Sequence, residues 1–132
     1  MNYRAAIDLA LILSRMGEQE QANLLLDRSL QQIQSRPRHG RRGYFLADVQ
    51  VYALRGDKQQ ALSALREAID EGWRAEWWWL RRPNLESLHD EPEFQSMVEE
   101  IETDMAAQLA HVREMQRNGE LDPILEVSAA TQ

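Results

Sequence analysis

An internal repeat with an offset of 39 residues constrains the fold most strongly. Residues 17–22, GEQEQA, align with residues 56–61, GDKQQA. Each glycine ends one apolar helical pattern and each alanine lies near the start of another, so each copy predicts two antiparallel helices joined by a short turn. Beyond the turn, matched large or small residues are Leu13 with Tyr52, Leu26 with Leu65, and Ser29 with Ala68. The chain is therefore predicted to fold as stacked helix hairpins.

Apolar periodicity and helix-ending residues predict five helices. The first four predicted spans are residues 3–16, 18–35, 44–55 and 58–71, and they end near Gly17, Pro37, Gly56 and Gly72. Pro92 is suited to the first position of a long last helix because its missing N–H is not needed there. Asn118 and Gly119 end that helix, and between the fourth and last helices lies an irregular segment rich in tryptophan.

Each hairpin resembles the tetratricopeptide repeat (TPR), a helix-turn-helix unit with a glycine turn followed by alanine and then a large apolar residue. The usual period is roughly 34 residues, and the additional residues fall in the loop 36–43. The resemblance implies an all-α, right-handed stack of two hairpins with a long C-terminal helix. It places repeats at about 3–35 and 42–72 and an end group at 73–119, which together form one domain, 1–119, with a flexible tail at 120–132.

The segment after the second hairpin resembles the end group of some bacterial TPR arrays. The resemblance rests on EGW at 71–73, on Leu80 and Pro83 to Leu85 with Leu88, and on DEPEF at 90–94. Such end groups occur in multidomain signalling and transcription-regulator proteins. The resemblance therefore implies a non-catalytic protein–protein interaction module, the C-terminal TPR-like part of a larger bacterial signalling or regulatory protein.

In TPR proteins the partner usually lies in a groove lined by the first helix of each repeat. Mapped through the aligned hairpins, the corresponding residues are Arg4, Ile7, Leu11, Arg15, Leu46, Gln50 and Leu54. Most of them are apolar, whereas family members that clamp a terminal carboxylate place Lys and Asn there. The expected partner is therefore an apolar or amphipathic segment of a protein or peptide.

Three consecutive tryptophans, Trp77, Trp78 and Trp79, allow two interpretations. Successive helical residues point about 100° apart, so the three rings cannot enter one core from a regular helix. Either the segment is irregular and its rings seal the junction between the fourth and last helices, or at least one ring is exposed as an anchor for a partner.

Charge and composition exclude several classes of function. The 132 residues carry a net charge of -7 and no cysteine, and residues 73–132 hold thirteen acidic against five basic residues. This acidic surface argues against binding to nucleic acid, because contacts with phosphates need cations. The arginines between Arg36 and Arg42 are interpreted as a solvated basic loop. Nucleotide-binding, hydrolase and metalloprotease motifs are lacking, so we expect no enzyme activity, no cofactor and no metal site.

Two further functions stay open. The apolar first helix could be consumed by self-association, which would make the chain a capping segment and a homodimer, with Ile7, Leu11 or Ile12 near the contact. A pocket walled by the tryptophans could instead sense a small molecule. No apolar stretch reaches the length of a membrane span, so we expect no membrane insertion. The expected location is the cytoplasm, or the periplasm if a parent protein is anchored in a membrane.

Overall fold

A computed structural model describes residues 1–121, and in this range the chain forms helices and no strand. Five α-helices form: α1 Tyr3–Arg15, α2 Gln19–Ile33, α3 Ala47–Leu54, α4 Lys58–Asp70 and α5 Pro92–Arg117. Two 3-10 helices, Trp77–Arg81 and Pro83–Leu88, connect α4 to α5. The all-helical prediction is confirmed, and most helix ends lie within one or two residues of the predicted positions.

The turns of the two hairpins have the same geometry. Gly17 and Gly56 follow α1 and α3 with φ of 84° and 80°, the left-handed conformation that favours glycine after a helix. One residue later, the N–H of Glu18 donates to the carbonyl of Leu13 at 2.9 Å, and the N–H of Asp57 donates to that of Tyr52, also at 2.9 Å. The two hydrogen bonds are thus equivalent, and their residues are separated by the 39-residue offset of the sequence repeat.

Equivalent positions of the second helices are also buried alike. Ala22 and Ala61 are fully buried, and so are Leu26 and Leu65, one turn further along α2 and α4. The helix α1 packs against α2, α3 packs against α4, and both helices of the first pair contact α3. Side chains of α1, α2 and α3, including Ile7, share one hydrophobic core.

The prediction that the third helix begins at Tyr44 is wrong, because α3 begins at Ala47. The N–H of Tyr44 donates to the carbonyl of Pro37 at 3.1 Å, and the N–H of Phe45 donates to that of Arg38 at 2.8 Å. Phe45 also has a φ of 51°, outside the helical region. These bonds to the preceding loop replace the first helical turn.

The interpretation of the arginine loop as fully solvated is wrong for Arg38, which is only 6% exposed. Its guanidinium pairs with both carboxylate oxygens of Asp48, at 3.1 and 2.9 Å, and its Nε donates to Glu71 at 3.0 Å. Its Nη1 also donates to the carbonyl of Phe45 at 2.7 Å. A planar guanidinium with five donors suits such a multiple contact. The loop is therefore fastened to α3 and to the end of α4.

The chain divides into two compact units, Met1–Val98 and a second that begins at Glu99, whereas the sequence analysis placed one domain at 1–119. Within the first unit, the tryptophan segment is a 3-10 helix whose Leu80 is buried, and Leu85 and Leu88 of the following 3-10 helix are buried as well.

The helix α5 ends before Gly119, as predicted. The predicted flexible tail, 120–132, lies outside the described residues beyond Leu121.

Candidate functional site

The Pro83–Leu88 helix crosses the groove that the resemblance assigns to a partner. Asn84 is buried, and its Nδ2 donates to Asp8 Oδ1 of α1 at 3.0 Å and to Gln50 Oε1 of α3 at 2.8 Å. One amide thus joins the first helices of both hairpins. Gln50, a predicted groove residue, is bonded to the chain itself.

Two more contacts extend this cover toward the C-terminal ends of α1 and α3. Ser87 Oγ donates to the carbonyl of Ala53 at 3.2 Å, and Arg15 forms an exposed ion pair with Glu86 at 3.2 Å. The Arg15 end of the groove is therefore occupied by residues of the same chain, whereas within residues 1–121 these contacts do not extend to the Arg4 end.

At the Arg4 end lies a cavity of about 390 Å³ within the first unit. Four predicted groove residues line it: Arg4, Ile7, Leu46 and Gln50. Asp8 of α1 also lines it. The remaining walls come from the loop before α3 and from the segment after α4, and they include Arg41, Tyr44, Phe45, Trp73, Ala75, Glu76, Trp79 and Arg82. The cavity thus lies between the first helices of both hairpins and the tryptophan segment.

The floor of the cavity is apolar and its edge is aromatic and basic. Ile7, Leu46 and Trp73 are each at most 3% exposed. The guanidinium of Arg82 lies 4.2 Å from the centroid of the Trp79 ring, and that of Arg4 lies 5.9 Å from the centroid of Phe45. Such cation–π contacts hold the aromatic and basic groups in a fixed relation.

The charged lining residues are three arginines and two carboxylates. Arg4 is held by the carbonyl of Gly43, to which its Nη2 donates at 3.3 Å. Asp8 accepts the hydrogen bond from Asn84. In the part of the chain that the structure describes, the side chains of Arg41 and Glu76 make no hydrogen bond or ion pair. The cavity edge therefore has a small positive excess on a chain that is acidic overall.

Backbone strain is concentrated at this cavity. Among residues 1–121 the non-glycine residues with positive φ are Phe45 at 51° and Glu76 at 55°, and both line it. The left-handed conformation costs an L-residue roughly 1 to 2 kcal/mol. Such strain persists only where the surrounding contacts impose it, and it is common at ligand-binding sites.

Contacts of Gly43 hold the loop that carries Tyr44 and Phe45. The carbonyl of Gly43 accepts from Tyr3 Oη at 3.4 Å as well as from Arg4. A Cβ at this position would lie 2.5 Å from the carbonyl oxygen of Arg38 and 2.7 Å from the carbonyl carbon of His39. Only glycine fits there without moving backbone.

Burial and charge perturb two groups of this loop. Burial raises the pKa of the Tyr44 hydroxyl above its ordinary value, although the neighbouring Arg38 acts in the opposite direction. For Arg38 itself, burial acts to lower the pKa, but the hydrogen bond and charge of Asp48 outweigh it and the pKa is raised. Arg38 therefore stays charged, and Tyr44 stays protonated, at neutral pH.

The predicted site residues separate into two groups. Arg4, Ile7, Leu46, Gln50 and Trp79 meet at the cavity. The others do not line it: Leu11 and Leu54 are half-buried, Arg15 pairs with Glu86, Trp77 is half-buried, and Trp78 is 58% exposed. The three rings thus do not enter one core together: Trp78 is exposed, Trp79 lines the cavity, and Trp77 does not.

The sequence analysis missed Arg41, Phe45 and Arg82 as lining residues and Asn84 as the bridge between α1 and α3. The end-group pattern contains Asn84 without indicating this role, and the interpretation of residues 36–42 as a basic loop does not indicate that Arg41 lines a cavity. The available signal was the polar Gln50 among apolar groove positions, because a buried amide needs a hydrogen-bond partner.

Among the described residues, no group of three or more His, Asp or Glu side chains is arranged to hold a metal ion. No helix within residues 1–121 is both long and apolar enough to cross a membrane. No protein-family model matches the chain, and neither the curated proteins nor the solved structures give a significant match.

Proposed function

We propose that the chain is a non-catalytic protein-interaction module, a TPR-like stack of two hairpins that binds a short apolar segment of a partner in the cavity. The observation that carries this proposal is the position of the cavity. It lies between the first helices of the two hairpins, where the repeat resemblance expects a partner, and it has a buried apolar floor.

Three further features support the TPR-like description. The turns at Gly17 and Gly56 have equivalent hydrogen bonds, Ala22 and Ala61 are equally buried, and α1 and α3 contact each other as first helices of adjacent repeats do. The end-group resemblance adds the proposal that the module belongs to a larger bacterial signalling or regulatory protein.

The partner segment must be short. Asn84, Glu86 and Ser87 occupy the groove toward the C-terminal ends of α1 and α3. A long amphipathic helix laid along the whole groove would have to displace Leu85 and Leu88, which are at most 1% exposed. A few residues with one apolar anchor fit the remaining cavity, because binding energy concentrates in such buried anchors.

The test is a peptide array in which a central Leu, Phe or Trp is embedded in varied flanking residues, with both ends blocked. The Ala75→Trp variant should lose binding, because Ala75 is exposed and lines the cavity. Ser63→Trp, on the exposed face of α4, is the matched control and should bind like the unmodified chain. If no peptide binds the unmodified chain more strongly than Ala75→Trp, the proposal is wrong.

A second candidate function is small-molecule binding, favoured by the size of the cavity. Ligand pockets usually measure about 300–1,000 Å³, and 390 Å³ lies in this range. Thermal-shift screening of a metabolite set against the unmodified chain and Ala75→Trp tests it. A compound that stabilises only the unmodified chain, together with an empty peptide array, would favour this candidate over a protein partner.

A further inference from the structure

The cavity edge offers two guanidinium groups that make no hydrogen bond within residues 1–121. In the described part of the chain, the guanidinium of Arg41 has no hydrogen-bond or ion-pair partner, and that of Arg82 contacts the Trp79 ring without donating to an oxygen. Both side chains belong to exposed residues at the cavity edge. They are therefore free to receive an acceptor from outside.

The opposing carboxylates only partly compensate these charges. Asp8 lies on α1 and accepts from Asn84, so one of its oxygens is engaged. Glu76 has no such partner in residues 1–121 and lines the same cavity. With three guanidiniums against two carboxylates, a ligand cation would meet more repulsion than attraction, whereas an anion would gain.

The apolar floor and the basic edge occupy different levels of the cavity. Ile7, Leu46 and Trp73 are almost fully buried, while Arg41 and Arg82 are exposed. A ligand that satisfies both levels needs an apolar group to enter and an acceptor that stays at the edge. A guanidinium suits a carboxylate acceptor because its N–H groups form a planar fork.

We infer that the partner segment carries an aspartate or glutamate beside its apolar anchor residue, with Arg41 and Arg82 binding that carboxylate at the cavity edge. The inference rests on the proposed function and names the chemistry of the partner. The acidic group is an internal side chain, and the cavity takes the neighbouring apolar one.

Blocked peptides from the array test this directly. The best binders are synthesised with Glu and, separately, with Gln or Lys beside the anchor, and their Kd values are measured by fluorescence anisotropy. We expect Glu→Gln in the peptide to weaken binding about fivefold, the size of two partly exposed charge contacts. The Lys peptide should bind more weakly still.

Variants of the chain should change the affinity for the Glu peptide in opposite directions, depending on which charge they remove. Arg41→Gln and Arg82→Gln should each weaken its binding, Glu76→Gln should strengthen it, and Arg42→Gln should leave it unchanged. Arg42 is an exposed neighbour of Arg41 that does not line the cavity. Circular dichroism melting shows whether each variant is folded. If Arg82→Gln does not fold, Arg41→Gln alone still tests whether binding of the Glu peptide depends on the arginines.

The outcomes separate the inference from the proposed function. Peptides that bind the cavity equally well with Glu, Gln or Lys would overturn the requirement for an acidic residue and leave the interaction module intact. Equal effects of Arg41→Gln and Arg42→Gln would also overturn it. An array with no binder that Ala75→Trp abolishes overturns the proposed function itself.

Discussion

Asn84 donates to Gln50 at 2.8 Å across 34 residues of sequence, and the same amide nitrogen donates to Asp8 at 3.0 Å. Asn84 is 5% exposed and Gln50 is 8% exposed. The Pro83–Leu88 helix is therefore bonded to the first helix of each hairpin through one buried side chain, and this bond closes one end of the groove.

Asn84→Ala should destabilise the first unit by about 1 to 3 kcal/mol, because it leaves the buried Gln50 carbonyl without a donor. Urea denaturation measures the change. Asn23→Ala is the matched control, since Asn23 is exposed on α2 and pairs only with Gln19 in the described chain. A loss of stability no larger for Asn84→Ala than for Asn23→Ala would contradict the bridging role.

Arg38→Met should destabilise the chain by about 3 kcal/mol or more, the usual cost of removing one partner from a buried ion pair. The side chain of Asp48 is 13% exposed and would lose both guanidinium contacts. Arg38→Lys keeps the charge but loses the bidentate geometry. It should therefore still destabilise the chain, but by less than Arg38→Met.

The double variant Arg38→Met, Asp48→Leu distinguishes this explanation from simple loss of packing. Removing both charges should recover part of the stability, because the carboxylate that then loses Arg38 is that of Glu71, which is 44% exposed, and no longer the more buried one of Asp48. Arg42→Met, at an exposed position of the same loop, should change stability by less than about 0.5 kcal/mol. A double variant as unstable as the sum of its single variants would argue against the ion pair.

Gly43→Ala should destabilise the loop before α3, because the added Cβ would lie 2.5 Å from the carbonyl oxygen of Arg38, which accepts a hydrogen bond from the N–H of Phe45. Overpacking of this kind costs about 1 to 3 kcal/mol. The carbonyl of Gly43 also holds Arg4 at the cavity, so peptide binding should weaken together with stability. Thermal melting and the peptide assay on one sample of protein measure both effects; unchanged melting would refute the close contact.

The raised pKa of Tyr44 predicts a stability change at alkaline pH. The ordinary value is 10.0, and burial raises the value in the folded chain. The folded state therefore holds the proton more tightly than the unfolded state, so this contribution is complete below pH 10.0 and is lost as pH rises through the folded pKa. Tyr44→Phe has no such proton.

Melting temperatures of the unmodified chain and of Tyr44→Phe, measured from neutral to strongly alkaline pH, test this sign. The difference between the two should be constant below pH 10.0 and should shift against the unmodified chain above it. A difference that shifts in favour of the unmodified chain at alkaline pH would mean that burial does not govern this hydroxyl.

The helices and their ends were predictable because they depend on local signals. Glycine after α1 and α3 fixes the turns, and Pro92 opens α5. The error at Tyr44 and Phe45 has a different origin. These residues fit a helical pattern, but Arg38 draws the carbonyl of Phe45 toward the buried ion pair and the loop accepts their N–H groups instead. Tertiary contacts overrode local preference.

The candidate site was only half predictable for a similar reason. Residues on α1 and at the start of or within α3 follow from the repeat, so the sequence predicts Arg4, Ile7, Leu46 and Gln50. Arg82 and Asn84 come from a segment far along the chain, and one sequence cannot show that this segment returns to the groove. Of the three residues expected near a self-association contact, Ile7 is 1% exposed and Leu11 is half-buried, whereas Ile12 is 54% exposed.

The positions of the four tryptophans allow NMR to locate a bound peptide directly. Trp73 and Trp79 line the cavity, whereas Trp77 and Trp78 do not. In a nitrogen-15 NMR titration of the chain with the best array peptide, the indole N–H signal of Trp79 should move in proportion to the peptide bound, and that of the exposed Trp78 should stay in place. Binding that moves the Trp78 signal and leaves Trp79 unchanged would contradict the assignment of the cavity as the partner site.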